Sequence, residues 1–298
     1  MIFSDLTMDD YNILKNYFDV LEMQPSFLNP QIILAWKDIF KVKKFIDNNN
    51  ILYLIGEFNN VVFGWGPPLG ESIDEDAFLK FLNFLRFKNQ NYDSEICYLW
   101  REYKYFNYLL NNKYFYIENN GFDYLLSTAD ASSLIGRRNR RLRKEKENIK
   151  KLFPQLLFYN SSLRNDCKIV LKKWYNQKKE NNIENYKLDL EAKACESALD
   201  NDINFEGIVV YINNSAEAFS IGSHLNTSTF NCIFEKASRQ YPGLSTFVFS
   251  ELADYLKNKY DYLNIGDDWN IEGLIISKHK WHPCNFQNFY SLKLRSKI

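Results

Sequence analysis

A run of three short strands followed by a loop and a helix constrains the fold of this chain most strongly. Alternating apolar, β-branched and aromatic residues predict the strands, which span 205–212, 216–224 and 229–235. Asn213-Asn214-Ser215 predicts a tight turn between the first two, and a Pro-Gly loop leads into a helix predicted over 244–257. Because such strands bury one face of a sheet under helices, we expect a mixed α/β fold.

The rest of the chain also mixes helices and strands. Apolar residues at helical spacing predict a helix over 76–87, and Asn59-Asn60 predicts the turn of a β-hairpin. A single long helix, interrupted only by Gly136, is predicted over 130–152. We therefore expect two similar mixed α/β lobes and a basic linking helix, with the boundaries 1–135, 136–155 and 156–298.

The composition excludes several classes of protein. Lys and Arg number 37 and Asp and Glu 37, so the formal net charge is zero and no overall field attracts nucleic acid or anionic lipid. The five cysteines form no CxxC pair, and His279 and His282 are more typical of packed or solvated side chains than of a metal site. Lacking a signal peptide and any apolar stretch of about 18 residues, the chain is expected to be cytoplasmic, without transmembrane segment, metal or tightly bound cofactor.

The loop before the helix at 244–257 has the residue types of a phosphate-binding turn. Its six residues, Gln240 to Ser245, resemble in degenerate form the pyrophosphate signature of GNAT acyltransferases. A helix N-terminus offers free N–H groups to an anion, and Gly243 lets the backbone come close to it. Gln240, Gly243 and Ser245 are therefore candidate cofactor-binding residues. The same loop is equally typical of a Pro-Gly turn followed by a serine helix cap.

Acidic residues gather near the C-terminus, where a strand is predicted to end. Asn264, Asp267, Asp268 and Glu272 lie within nine residues of one another. Acyl transfer to an amine needs a group that accepts the ammonium proton and a group that orients the amine, and carboxylates can do both. Helix capping and solvation are the competing roles of each acid.

Two further residue groups on the predicted strands are candidates for the same site. Glu235 is a second possible base, and Lys236 is expected to pair with it. Ser220 lies on a strand of small alternating residues, against which a ligand could lie.

A basic segment occupies residues 137–151. It holds nine cations against two acids, namely Arg137, Arg138, Arg140, Arg141, Arg143, Lys144, Lys146, Lys150 and Lys151. Such a segment can contact RNA phosphates, acidic lipid headgroups or a nucleotide diphosphate. Because the cations fall all round a helix, a solvated helix partly paired with acids is the alternative.

With these residues in view, the sequence resembles the family named for the C-terminal domain of phosphatidylglycerol lysyltransferases. The resemblance is strongest at five segments, which are 26–36 (SFLNPQIILAW), 123–153, 205–222, 234–237 and 264–283. The last segment is similar to the family's pattern of Asn264, Asp268, Ile271-Glu272-Gly273-Leu274 and Lys278. The sequence departs from the lipid-modifying members in having Ile275 where an arginine commonly follows, and in lacking a transmembrane half.

The resemblance implies a tandem GNAT fold related to the Fem aminoacyltransferases, with the active site in the C-terminal lobe. It implies transfer of an acyl or aminoacyl group from an acyl-CoA or aminoacyl-tRNA co-substrate to an amine or hydroxyl of a small molecule, lipid headgroup or peptide. Asp268, Glu272 and Glu235 are the candidate catalytic residues. The candidate substrate- or tRNA-binding residues are Arg137, Arg138, Arg140, Arg141, Ser220, Asn264 and Lys278. A non-catalytic module that binds a nucleotide, RNA or protein partner is the alternative function.

Overall fold

The computed structural model describes residues 1–71, 73–89, 97–180, 186–201 and 203–295. These residues form two units, Met1–Asp123 with Gln287–Ile298, and Tyr124–Phe286. The division differs from the boundaries at 135 and 155 that the sequence predicts. The difference arises because residues 124–135 pack within the second unit, whereas the last strand joins the first.

The first unit contains four helices and six strands among its described residues, together with part of a strand shared with the second unit. The helices are α1 (Tyr11–Phe18), α2 (Pro30–Trp36), α3 (Glu75–Lys88) and α4 (Phe106–Leu110). The strands are β1 (Ser4–Asp5), β2 (Lys43–Ile46), β3 (Leu52–Phe58), β4 (Val61–Gly64), β5 (Cys97–Trp100) and β12 (Asn285–Leu294). They pair in the order β1-β2-β3-β4-β5-β12. All recorded pairs here are antiparallel except β4 with β5, which is parallel at Gly64 and Cys97.

Local sequence explains two elements of this unit. The Asp74 side chain accepts a hydrogen bond from the Ala77 backbone N–H at 2.9 Å and caps α3. The buried face of α3 is the stripe of Phe78, Phe81, Leu82 and Leu85, so the predicted helix is confirmed. The hairpin is confirmed as well, because Asn59 and Asn60 both have positive φ between the paired residues Phe58 and Val61.

The second unit is built in the same manner. Its helices are α5 (Thr128–Ser133), α6 (Arg140–Lys150), α7 (Arg164–Lys179), α8 (Tyr186–Asp200), α9 (Leu244–Leu256) and α10 (Glu272–His279). Its strands are β7 (Gln155–Phe158), β8 (Glu206–Ile212), β9 (Ser215–Asn226), β10 (Thr229–Ala237) and β11 (Tyr262–Asn264), with the end of β6 (Phe115–Ser127). The strand order is β6-β11-β10-β9-β8-β7.

The core of the second unit lies between α9 and one face of its sheet. Phe247, Val248 and Leu252 of α9 are buried with Ile208 and Val210 of β8 in one apolar cluster. Successive residues of a strand point to opposite faces. The α9 side of β10 therefore carries Glu235, and the opposite side carries Lys236.

The predicted single helix over 130–152 is wrong. It is broken into α5 and α6 by residues 134–139, where Leu134 has a φ of +52° and Gly136 a φ of +91°. The Arg143 guanidinium donates to the Gly136 carbonyl at 2.7 Å and holds this break. Arg137 and Arg138 consequently precede α6. Among the described residues, no helix is long and apolar enough to cross a bilayer.

Candidate functional site

The second unit opens between two of its central strands. β10 and β11 run parallel and pair at three positions, Thr229 with Tyr262, Phe230 with Leu263 and Asn231 with Asn264. β11 ends there, whereas β10 continues to Ala237 and pairs only with β9 in the recorded register. The second half of β10 is therefore bordered by loops and helices instead of a strand, and its side chains can reach a ligand.

Glu235 lies in this second half of β10, on the side that faces α9. The Ser245 hydroxyl donates to the Glu235 carboxylate at 2.6 Å, and Ser220 is the neighbour of Glu235 across the β9–β10 ladder. The Ser220 hydroxyl is buried and has no hydrogen-bond partner within the described residues. Burial raises the pKa of Glu235, and it outweighs the hydrogen bond from Ser245 and the charges of nearby lysines. A carboxylate with a raised pKa is a better proton acceptor at neutral pH.

Lys278 of α10 contacts the loop that follows β11, and its charge acts on Glu235. Its ammonium group donates to the carbonyls of Ile265 and Gly266, and it lies 5.5 Å from the ring centroid of Tyr124. Its positive charge also acts on the Glu235 carboxyl and opposes the rise of its pKa. Lys278 thus places a partly buried cation against the loop after β11, near enough for its charge to act on the Glu235 carboxyl.

Tyr124 and Asp268 form the second polar group of the site. The Tyr124 hydroxyl donates to one Asp268 oxygen at 2.5 Å, and the other oxygen accepts the Asn270 backbone N–H at 2.8 Å. Burial and this carboxylate raise the pKa of Tyr124. Sequence reasoning missed Tyr124, although it lies within the arm at 123–153, because 144 positions separate it from Asp268. Both Asp268 oxygens are engaged by Tyr124 and the turn, and the catalytic role predicted for this acid stays a prediction.

Asn264 and Glu272 lie at positions where their side chains stabilise local structure. The buried Asn264 side chain accepts the Gly266 N–H at 2.8 Å and shapes the turn after β11, where Gly266 has a φ of +70°. Glu272 is exposed in the first turn of α10, where a negative charge favours the helix dipole. The roles predicted for them in binding and catalysis stay predictions.

The loop predicted to bind pyrophosphate is packed against an acidic residue of α6. Gly243 has a φ of +95°, and a Cβ there would lie 3.0 Å from the Glu145 carbonyl oxygen. The Thr246 hydroxyl donates to the Glu145 carboxylate at 2.5 Å, and Lys280 donates to that hydroxyl at 3.1 Å. Although burial opposes it, these groups and Arg141 lower the pKa of Glu145. The start of α9 therefore faces a carboxylate, while Gln240 is exposed beside it.

The predicted arginines lie on the exposed side of α6 and in the segment before it. Arg138 pairs with Asp130 at 2.9 Å and Arg141 with Glu145 at 3.0 Å, whereas Arg137 and Arg140 are exposed. The sequence suggested that the cations fall all round a helix, but this is wrong. The helix begins only at Arg140, and its side with Leu142 and Ile149 is buried. Arg137 and Arg140 form no ion pair among the described residues, and the phosphate-binding role predicted for the four arginines stays a prediction.

The expected pairing of Lys236 with Glu235 is wrong, because consecutive strand residues face opposite ways. Lys236 points toward α7 and α8, where its ammonium lies 2.6 Å from a Glu191 oxygen and 4.6 Å from the Trp174 ring centroid. The Lys236 side chain is only 4% exposed, so this pair belongs to the core between the sheet and these helices.

Comparisons with known proteins support the resemblance seen in the sequence. The family model described as phosphatidylglycerol lysyltransferase, C-terminal, matches residues 34–293. A conserved protein of unknown function from Bacteroides thetaiotaomicron is similar in structure, with a TM-score of 0.81 and 19% identity over 99% of this chain and 100% of that chain. No curated protein matches the sequence.

Two more distant structures share the fold. The structure of L-PGS from Bacillus licheniformis has a TM-score of 0.67 and 12% identity, covering 100% of this chain and 95% of that chain. A tandem GNAT protein from the clavulanic acid biosynthesis pathway has a TM-score of 0.52 and 6% identity, covering 100% and 99%. The predicted fold class, a mixed α/β fold of two tandem GNAT-like lobes, is confirmed.

Proposed function

The chain belongs to the family of the phosphatidylglycerol lysyltransferase C-terminal domain, and from that premise we propose that it is an aminoacyltransferase. It moves an aminoacyl group from aminoacyl-tRNA to an amine or hydroxyl of an acceptor. The observation that carries the proposal is the polar group beside the open half of β10, where Glu235, Lys278 and the Tyr124–Asp268 pair lie on neighbouring elements.

In this reaction the acceptor amine or hydroxyl attacks the ester carbonyl of the donor. The bond between the acyl carbon and the ribose oxygen of the tRNA breaks, and that oxygen leaves as the ribose hydroxyl with the proton that Glu235 has taken from the attacking group. Glu235 takes the proton of the attacking group, because its raised pKa suits it to that step. Lys278 and backbone N–H groups of β10 stabilise the negative charge that develops on the carbonyl oxygen. Asp268 acts through Tyr124 as a positioning residue.

The surroundings of α9 favour aminoacyl-tRNA over acyl-CoA as the donor. The Glu145 carboxylate lies at the N-terminus of α9, where a pyrophosphate would otherwise bind, and Gly243 packs on the Glu145 backbone. The negative charge of Glu145 at this end of α9 repels a diphosphate. Arg137, Arg138 and Arg140, in contrast, are exposed and suit the regularly spaced phosphates of an RNA acceptor stem.

A binding experiment separates the two donors. We expect charged tRNA to raise the melting temperature of the protein and CoA to leave it unchanged. The double variant Arg137→Gln, Arg140→Gln should weaken tRNA binding by about tenfold at low salt and flatten its salt dependence. Lys257→Gln, which removes an exposed cation of the same unit, is the matched control. Stabilisation by CoA alone overturns the tRNA donor.

A transfer assay then tests the reaction itself. Charged tRNA bearing a labelled amino acid is incubated with the protein and with candidate lipid and peptide acceptors, and the label recovered on the acceptor is measured. Tight tRNA binding without transfer to any acceptor would instead support the non-catalytic module.

A further inference from the structure

The end of α6 and strand β7 expose large apolar side chains beside two lysines, and we name residues 150–158 the apolar–basic patch. Its exposed apolar members are Leu152 (42% exposed), Phe153 (92%), Leu156 (39%) and Phe158 (64%). Lys150 and Lys151 directly precede them and are exposed. Adjacent apolar side chains of this size on a surface indicate that it binds a partner.

The backbone at Phe153 shows that the local structure does not require an aromatic residue there. Phe153 has a φ of +50°, in the left-handed region, three residues after the last residue of α6 and directly before Pro154. Glycine or asparagine ends a helix in this conformation at lower cost than a bulky residue does. Because neither the helix end nor internal packing accounts for the Phe153 side chain, it is available to a partner outside the chain.

The cations beside the patch indicate the charge of that partner. Lys151 forms no ion pair within the part of the chain that the structure describes, and Lys150 pairs with Glu147 at 3.2 Å. Lys144 is exposed on the same side of α6 as Lys151, because residues seven positions apart share a helix face. A second copy of this chain would bring like charges together across the patch, whereas an anionic partner would neutralise them.

We infer that the apolar–basic patch docks on the surface of an anionic lipid bilayer. Leu152 and Phe153 insert at the level of the headgroups, and Lys150 and Lys151 lie against the lipid phosphates. The aliphatic Leu152 and Leu156 suit hydrocarbon but cannot stack on bases, which favours a bilayer over a nucleic acid. The docking needs neither donor nor acceptor, so it goes beyond the proposed transfer and can be measured without it.

Vesicle sedimentation tests the inference on the full chain. We expect binding to phosphatidylcholine vesicles that contain phosphatidylserine, weaker binding to phosphatidylcholine alone, and loss of binding at high salt. Phosphatidylserine is used so that capture does not depend on recognition of an acceptor headgroup. Phe153→Ala should lower the partition coefficient about tenfold, because the ring no longer leaves water. Lys150→Gln and Lys151→Gln should each lower it about fivefold.

Two further variants keep the result independent of folding. Phe153→Asn relieves the left-handed backbone, so it should match or exceed the melting temperature of the unchanged protein and still lose vesicle binding. Phe87→Ala removes an equally apolar side chain, 66% exposed on α3, and should bind vesicles normally. Vesicle binding that Phe153→Asn leaves unchanged, or no vesicle binding at all, overturns the inference. So does a Phe153→Asn variant that loses only tRNA binding or only self-association.

Discussion

Two parallel strand pairs recorded among the described residues, β4–β5 in the first unit and β10–β11 in the second, are bordered by opposite kinds of residue. Beside β4–β5 the space is filled by rings. Trp65 is 6% exposed and its ring centroid lies 5.5 Å from that of Phe40 and 5.9 Å from that of Phe63. Beside β10–β11 stand Glu235, Lys278 and the Tyr124–Asp268 pair.

The strand arrangement by itself does not define a site. Parallel strands that meet briefly leave room beside them, and side-chain chemistry decides whether that room becomes core or binds a ligand. In the first unit, the Trp65 ring N–H donates a hydrogen bond to the Phe27 carbonyl at 2.9 Å. The polar atom of this ring therefore already has a partner within the protein. In the second unit, the buried Ser220 hydroxyl beside Glu235 has no hydrogen-bond partner within the described residues.

The largest effect is expected from removing the Trp65 ring that fills the space beside β4–β5. Trp65→Ala should lower the free energy of unfolding by about 3–5 kcal/mol, because it removes a buried ring and leaves the Phe27 carbonyl unpaired. Urea unfolding measures it. Transfer per folded molecule should stay unchanged. If the variant loses transfer but keeps its stability, the residues beside β4–β5 also contribute to the reaction, and the two strand pairs do not differ in this respect.

The next effect concerns the polar space. Glu235→Gln should lower the transfer rate by about 100-fold, roughly 2.7 kcal/mol in the barrier, because the proton acceptor is lost while shape and the bond to Ser245 persist. Single-turnover transfer measures it. Glu206→Gln, which removes an acid of β8 paired with Lys259, is the matched control and should transfer normally.

The pH dependence of the same reaction sharpens this assignment. Glu235 must be ionised to accept a proton, and burial raises its pKa above the ordinary 4.5. The transfer rate should therefore rise with pH through that raised pKa, and Glu235→Gln should abolish the rise. A rise that persists in the variant assigns the base elsewhere. Asp268→Asn can still accept a hydrogen bond from the Tyr124 hydroxyl through its amide oxygen, so it should lower the rate only about tenfold and leave the rise in place.

The smallest effect is expected at the loop before α9. Gly243→Ala should lower the free energy of unfolding by about 1–2 kcal/mol, because Gly243 has a φ of +95° and its Cβ would press on the Glu145 backbone. Thermal unfolding measures the change. If the variant is instead stable but no longer binds a CoA ester, the loop binds a phosphate of the donor and the second unit resembles acyl-CoA enzymes.

Much of the fold follows from local pattern, and the exceptions have identifiable causes. The hairpin at Asn59-Asn60 and helix α3 were predictable because the turn residues and the helix stripe act within a few positions. The break between α5 and α6 was not, because Gly136 alone costs a helix only about 1 kcal/mol and the Arg143 contact decides the outcome. The four-residue strand β7 lacks a periodic signal long enough to distinguish it from a loop.

The sequence by itself determined the mixed α/β class, the family and the set of polar residues from which a site could be built. Only the tertiary structure decided which of them meet. Glu235 meets Ser245 on one face of β10 and Lys236 meets Glu191 on the other, because the pleat separates neighbours in sequence. Tyr124 meets Asp268 across 144 positions, because the pairing of β6 with β11 brings those segments together. Such contacts depend on packing between distant segments, which no local pattern encodes.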